Sequence, residues 1–120
     1  DGLKTKDIIK LHDTLIEKYG GTSGTMIETT IDHLIHYKLG PENTVFANAA
    51  IAIHAITTGH VFFDGNKRTA SALADVILRN GGYKIVADKD GTKRMLIAVA
   101  EYNMSADEIE VWIRRNMTEL

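Results

Sequence analysis

Eleven consecutive residues, His60-Val61-Phe62-Phe63-Asp64-Gly65-Asn66-Lys67-Arg68-Thr69-Ala70, hold an imidazole, a carboxylate, an amide, two cations and a hydroxyl. No other stretch of the 120-residue chain is as dense in reactive groups. An alanine-rich apolar run leads into it and a helical pattern leads out, so the physics of helix termini applies to it directly. The first turn of a helix presents free backbone N–H groups and the positive end of a dipole, which makes it a natural phosphate site. Placing Lys67 and Arg68 in that turn is unfavourable for the dipole unless an anion sits there. Gly65 lets a ligand approach the backbone closely. His60, five to eight residues upstream across the loop, can serve as a general base near neutral pH. Asp64 can bind the magnesium that accompanies nucleotide phosphates through one or two carboxylates and waters. The chemistry suggested is phosphoryl or nucleotidyl transfer, worked mainly by positioning and charge neutralisation. Taken singly, each residue also has a plain structural reading: Asp64 as an N-cap, Asn66 as a first-turn residue, Lys67 and Arg68 as a solvated face, His60 as a loop histidine.

The elements that must position this stretch read as helices. An apolar stripe of Ile8, Leu11, Leu15 and Tyr19 predicts a helix over 5–19, with Thr5 as N-cap, Asp7 in the first turn and Gly20-Gly21 as the stop. Residues 22–25 read as a loop. A second helix is expected over 27–37, with Ile27, Ile31, Leu34 and Ile35 inward, closed by Gly40-Pro41. The pattern over 43–58 differs in kind. Ala47, Ala49, Ala50, Ile51, Ala52, Ile53, Ala55 and Ile56 surround the axis almost completely, which places this helix in the middle of a domain with close neighbours. The motif follows, and then a fourth helix over 65–79 with Ala70, Leu73, Ala74, Ile77 and Leu78 inward and Asn80-Gly81-Gly82 as a stop. Residues 83–87 are briefly extended, and 88–91 read as a turn. A fifth helix over 92–102 turns Met95, Leu96 and Val99 inward. Ser105 and Glu108 make a capping box for a last helix to about 116, burying Ile109, Trp112 and Ile113. The expectation is an all-α, compact single domain over 1–120 with about six helices, the motif loop leading into a central one.

Composition narrows the function. A net charge of −2 argues against a broadly basic nucleic-acid binder. There is no cysteine, so disulfide and thiolate chemistry are excluded. No apolar run approaches the roughly 20 residues of a membrane span. No signal-peptide pattern is visible, and the chain opens on Asp1, which leaves its natural start open. A cytoplasmic domain is expected, with no membrane and no direct nucleic-acid partner.

The motif resembles the signature of the Doc (death-on-curing) branch of the Fic/Doc superfamily, His-x-Phe-x-Asp-x-Asn-Lys-Arg-Thr-Ala, at every fixed position. Leu11-His12-Asp13, Tyr19-Gly20-Gly21, Gly24, Leu78-Arg79-Asn80-Gly81 and Trp112 extend the resemblance over nearly the whole chain. It implies a compact helical fold and a toxin of a toxin-antitoxin pair. The activity implied is that of a protein kinase passing the terminal phosphate of ATP, with Mg2+, to a threonine of elongation factor Tu and so arresting translation. By motif position, His60 is the base for the acceptor hydroxyl, and Asp64 positions metal or that hydroxyl. Gly65, Asn66 and Lys67 meet phosphates, and Arg68 stabilises charge on the transferred group. Phe62 anchors the loop. The Fic branch, which transfers AMP, has glycine where this chain has Lys67. A lysine there alters the space a second phosphate needs, so Lys67 speaks against AMP transfer, which is the alternative. A catalytically idle binding or regulatory module is the other. The resemblance also implies inhibition by a small Phd-type antitoxin whose C-terminal segment folds on binding. The Ser/Thr-x-x-x-Glu-Gly/Asn stretch by which some Fic proteins inhibit themselves is absent.

The remaining histidines carry less. His33 and His36 stand three apart on one expected helix, a spacing that can chelate a metal, but with no third ligand evident they read as a surface pair. His54 reads as a hydrogen-bonded histidine near the core or one facing the site, and His12 is ambiguous.

Overall fold

The computed structural model describes residues 3–26 and 28–120. Helix α1 (Thr5–Tyr19) is followed by α2 (Glu28–His33), which runs straight into a π-helical turn over Leu34–Lys38. Helices α3 (Val45–Gly59) and α4 (Asn66–Asn80) flank the motif loop. Strand β1 (Tyr83–Ile85), α5 (Lys89–Ala100), α6 (Ala106–Arg115) and β2 (Met117–Glu119) complete the chain. The all-α expectation holds: among the described residues six α-helices carry the fold, and the strands form one small antiparallel ribbon, Tyr83 opposite Glu119 and Ile85 opposite Met117.

Helix α3 is central because of its composition. It sends Phe46, Ala49, Ala50 and Ile53 into a cluster with Ala74 and Leu78 of α4, Met95, Leu96 and Val99 of α5, and Ile109 and Ile113 of α6. Its other side sends Ala52 and Ile56 into a second cluster with Ile8, Ile31, Leu34, Val61, Phe62, Ala70 and Leu73. A helix with two buried sides cannot be amphipathic, and its small alanines let α4 lie close alongside. The second cluster underlies the motif loop, while the first is a plain apolar core.

Local rules account for most of the helix ends. Thr44 caps α3 by accepting from the Ala47 N–H at 3.1 Å. Ser105 and Glu108 form the expected capping box on α6, with bonds of 3.1 and 2.9 Å. Several expectations are corrected. The N-cap of α1 is Lys4, whose N–H donates to Asp7 at 2.9 Å, while Thr5 is already helical and its hydroxyl donates to Asp32 of α2. Tyr19 is 55% exposed, and the stripe closes instead with buried His12, one turn beyond Ile8. Helix α5 begins at Lys89 because Asp88 accepts from the Gly91 N–H at 2.7 Å. The 88–91 stretch is therefore an N-terminus and no turn. Trp112 is only half-buried, packed against the edge of the first cluster. The expected helix start at Ile27 and its inward side chain fall outside the described residues.

Ile53 is fully buried in the middle of α3. Ile53→Ala is expected to lower unfolding free energy by about 2–5 kcal/mol, as core truncations of this size do. Urea titration checks it, and a loss below about 1 kcal/mol would mean α3 is not the central packing element.

Candidate active site

The loop between α3 and α4 is tied down through several of its backbone groups. Met26 N–H donates to the Val61 carbonyl at 2.7 Å, and Phe63 N–H donates to the Gly24 carbonyl at 3.3 Å. Thr25 and Phe62 thereby form an antiparallel bridge. The side chain of Asn66 closes the loop from the other side. Its Oδ1 accepts from Phe62 N–H, and its Nδ2 donates to the Phe62 carbonyl, both at 3.0 Å. Thr69 N–H donates to the Gly65 carbonyl at 2.9 Å as α4 begins. Because buried backbone groups must be paired, this accounting fixes the loop's path.

Helix α1 supplies the remaining anchor. His12 is 1% exposed. Its Nε2 donates to the Asp64 carbonyl at 2.7 Å, and its ring stacks on Phe62 at 3.8 Å between centroids and 3° between planes. Its Nδ1 is buried with no hydrogen-bond partner among the described residues. Phe62 is itself buried, so the loop's apolar anchor is the expected one. Glycine is required at two nearby points. A Cβ on Gly21 (φ 120°) would stand 2.7 Å from Asp64 Oδ2, and one on Gly65 (φ 74°) would stand 3.3 Å from Ile16 Cδ1.

The charged side chains of the motif face solvent. The Asp64 carboxylate accepts from Thr22 N–H at 3.2 Å and from Gly65 N–H at 2.8 Å. The Thr22 bond, then the Gly65 bond, hold its pKa below the ordinary 3.8, and the Arg68 charge adds a smaller attraction. Lys67 and Arg68 lie exposed in the first turn of α4. The Arg68 guanidinium rests on the Tyr19 ring, 4.5 Å from its centroid. Lys67 makes no ion pair among the described residues. The N-cap of α4 is Gly65, and no side chain caps the helix, so its first N–H groups remain open beside two cations. His60 ends α3 in left-handed backbone, exposed, with Nε2 3.4 Å from the Tyr102 hydroxyl.

The structure therefore gathers His60, Asp64, Gly65, Asn66, Lys67 and Arg68 on one loop and one helical turn. Asn66 stands apart in that its amide is engaged with Phe62 at both ends, leaving its backbone N–H as its group toward an anion. Sequence reasoning left His12 ambiguous, although its position four residues after Ile8 is the signal that it shares that buried stripe. It passed over Tyr102, which no local pattern marks. His54 lines a cavity with Lys38, Asn43 and Ala106, none of them motif residues. His33 and His36 are exposed, and the His33 ring tilts against Tyr37 at 5.2 Å. No three His, Asp or Glu side chains among the described residues gather as a metal-holding group.

The sequence matches the model of a family described as the Fic/DOC family over residues 2–78. The chain is also 29% identical over 118 residues to the Protein kinase doc of Escherichia phage P1, covering 94% of this chain and 93% of that protein.

Asp64 gives a pH test whose sign is set by its depressed value. The stability it lends is whole above the ordinary carboxylate range and is lost as pH falls through the folded-state value. The stability difference between wild type and Asp64→Asn should hold steady from about pH 7 to about pH 5 and shrink at lower pH. A difference flat down to about pH 2 would show that the Thr22 and Gly65 N–H groups do not hold the carboxylate.

Proposed function

The chain belongs to the Fic/DOC family, and from that premise we propose that it is a Doc-type toxin. In this reading it is an ATP-dependent protein kinase that moves the terminal phosphate of ATP to a threonine of elongation factor Tu and so inhibits translation. The observation that carries the reading is the first turn of α4: uncapped N–H groups, exposed Lys67 and Arg68, and no carboxylate among its first residues. Two cations at the positive end of a helix repel it unless an anion lies between. The relative named as a protein kinase supports phosphate as the group transferred.

In this reading Lys67, Arg68 and the N–H groups of Asn66 and its neighbours hold phosphate oxygens, and Gly65 keeps the approach open. Arg68, steadied by Tyr19, stabilises charge that builds on the transferred group. His60 takes the proton of the acceptor hydroxyl at Nε2. Asp64, exposed and kept ionised by two backbone donors, has oxygen lone pairs left for a divalent cation, which fits magnesium held by one carboxylate with phosphates and waters. When bound, Mg2+ would neutralise charge between the phosphates of ATP. Asp64 would otherwise orient the acceptor hydroxyl. Lys67 argues for phosphate over AMP, since its side chain stands where the AMP-transferring branch has glycine.

A Phd-type antitoxin helix is the inhibiting partner this reading expects. The reading places its action in the cytoplasm beside the translation machinery.

The deciding experiment incubates the chain with ATP, Mg2+ and elongation factor Tu and weighs the target. A gain of about 80 Da means phosphate, and about 329 Da means AMP. His60→Ala should keep the fold, since the ring is exposed, and lower transfer roughly 10²–10⁴-fold. Full transfer by that variant would remove His60 from the chemistry. No mass change in wild type, with tight antitoxin binding, would favour an idle module.

A further inference from the structure

Among the described residues, two that are not glycine hold left-handed backbone: His60, with φ 48°, and Tyr102, with φ 62°. Both stand at helix ends. His60 is the C-cap of α3, and Tyr102 follows Glu101, the C-cap of α5. The last turn of α5 closes with Tyr102 N–H donating to the Val99 carbonyl at 3.0 Å and Asn103 N–H donating to the Ala98 carbonyl at 2.8 Å. That bond pair is a Schellman ending, whose left-handed residue is ordinarily glycine. A tyrosine there sets its Cβ against its own carbonyl. Its side chain is 68% exposed, so burial does not offset the strain.

What the tyrosine does reach is His60. Its hydroxyl lies 3.4 Å from Nε2, across 42 residues of sequence. Two helices thus end in the same strained conformation, each with a ring where glycine would fit freely, and the two rings meet at the candidate base. Strain of this kind collects at functional sites, where a geometry is held that local preference opposes.

We infer that Tyr102 is a positioning residue for His60. Its phenol O–H donates to Nε2 and holds the imidazole as the Nδ1–H tautomer, with the Nε2 lone pair facing the acceptor side. The inference rests on the reading of His60 as the base. A neutral imidazole carries one proton, and the partner of one nitrogen decides which of the two holds it. A base must offer Nε2 unprotonated to an incoming hydroxyl, and a phenol donating to that lone pair marks the place the acceptor hydroxyl will take. Because the ring is exposed, it can swing aside for a protein acceptor without disturbing the core.

Tyr102→Phe in the full chain keeps the ring and the backbone conformation and removes only the hydroxyl. Long-range 15N–1H correlation of the histidine rings, in the free protein, should show His60 Nε2 unprotonated in wild type. In the variant its two nitrogens should move toward the average of both tautomers. Wild-type His60 protonated at Nε2, or ring signals unmoved by the substitution, would overturn the inference. The NMR readout needs no substrate. A chain that transfers no phosphate but shows the tautomer change sinks the kinase reading and leaves the role of Tyr102 standing.

Discussion

The site depends on one buried side chain. The ring of His12 lies flat on Phe62, and its Nε2 donates to the Asp64 carbonyl two residues further on. One imidazole on α1 thus grips the motif loop both by an apolar face and by a polar atom. The two bonds from the 24–26 segment and the two from Asn66 hold the same loop from other directions. The loop has too few residues to fold by itself, and its conformation is imposed by three separate parts of the chain. Gly21 and Gly65 are the consequence, since both hold positive φ and a Cβ at either would crowd the side chains of Asp64 or Ile16.

This anchoring separates structural from chemical duties within a single motif. Phe62 and the Asn66 amide are consumed by the loop. The groups left facing solvent are the titratable and charged ones: His60, Asp64, Lys67 and Arg68. A carboxylate held ionised by backbone N–H groups precedes two cations on the turn behind it. An anion there meets backbone N–H donors and two side-chain cations, and a cation meets a carboxylate whose proton is already disfavoured. In the proposed reading a polyphosphate with its metal finds both kinds of partner side by side, which is why we favour a nucleotide over a lone phosphate.

Much of the fold was legible in the sequence. The all-round apolar pattern of 43–58 placed α3 at the centre, and capping chemistry placed the start of α6. The motif was legible as a loop leading into a helix, and the structure leaves His60, Asp64, Lys67 and Arg68 of it exposed. What escaped had physical reasons. Strand β2 spans three residues and exists because β1, more than thirty residues earlier, offers it an edge, so no local periodicity announces it. Asp88-Lys89-Asp90-Gly91 carries the composition of a turn, and only the bond from Gly91 N–H to Asp88 shows it to be the first turn of α5. Tyr19 continues an apolar stripe but ends outside it, because α1 passes the edge of the core there and the ring serves Arg68 instead. His12 shares the face of Ile8, yet a histidine's polarity made burial there look less natural than it is once the Asp64 carbonyl is in place.

The division of the core into two clusters bears on how such a site is tolerated. Left-handed backbone at a residue other than glycine costs about 1–2 kcal/mol, and a domain of this kind is stable by only about 5–15 kcal/mol. Two such residues at one site, an uncapped helix start beside two cations and a buried unpartnered Nδ1 all weigh against folding. They are confined to the side of α3 that faces α1 and the motif loop, or to the helix ends that border it. The other side packs Phe46, Ile53, Leu78, Val99, Ile109 and Ile113 against one another. Helix α3 belongs to both sides, so the stability gained on one holds in register the strained end of the same helix on the other. That is the physical reason for an axis of alanine and isoleucine to lead directly into His60.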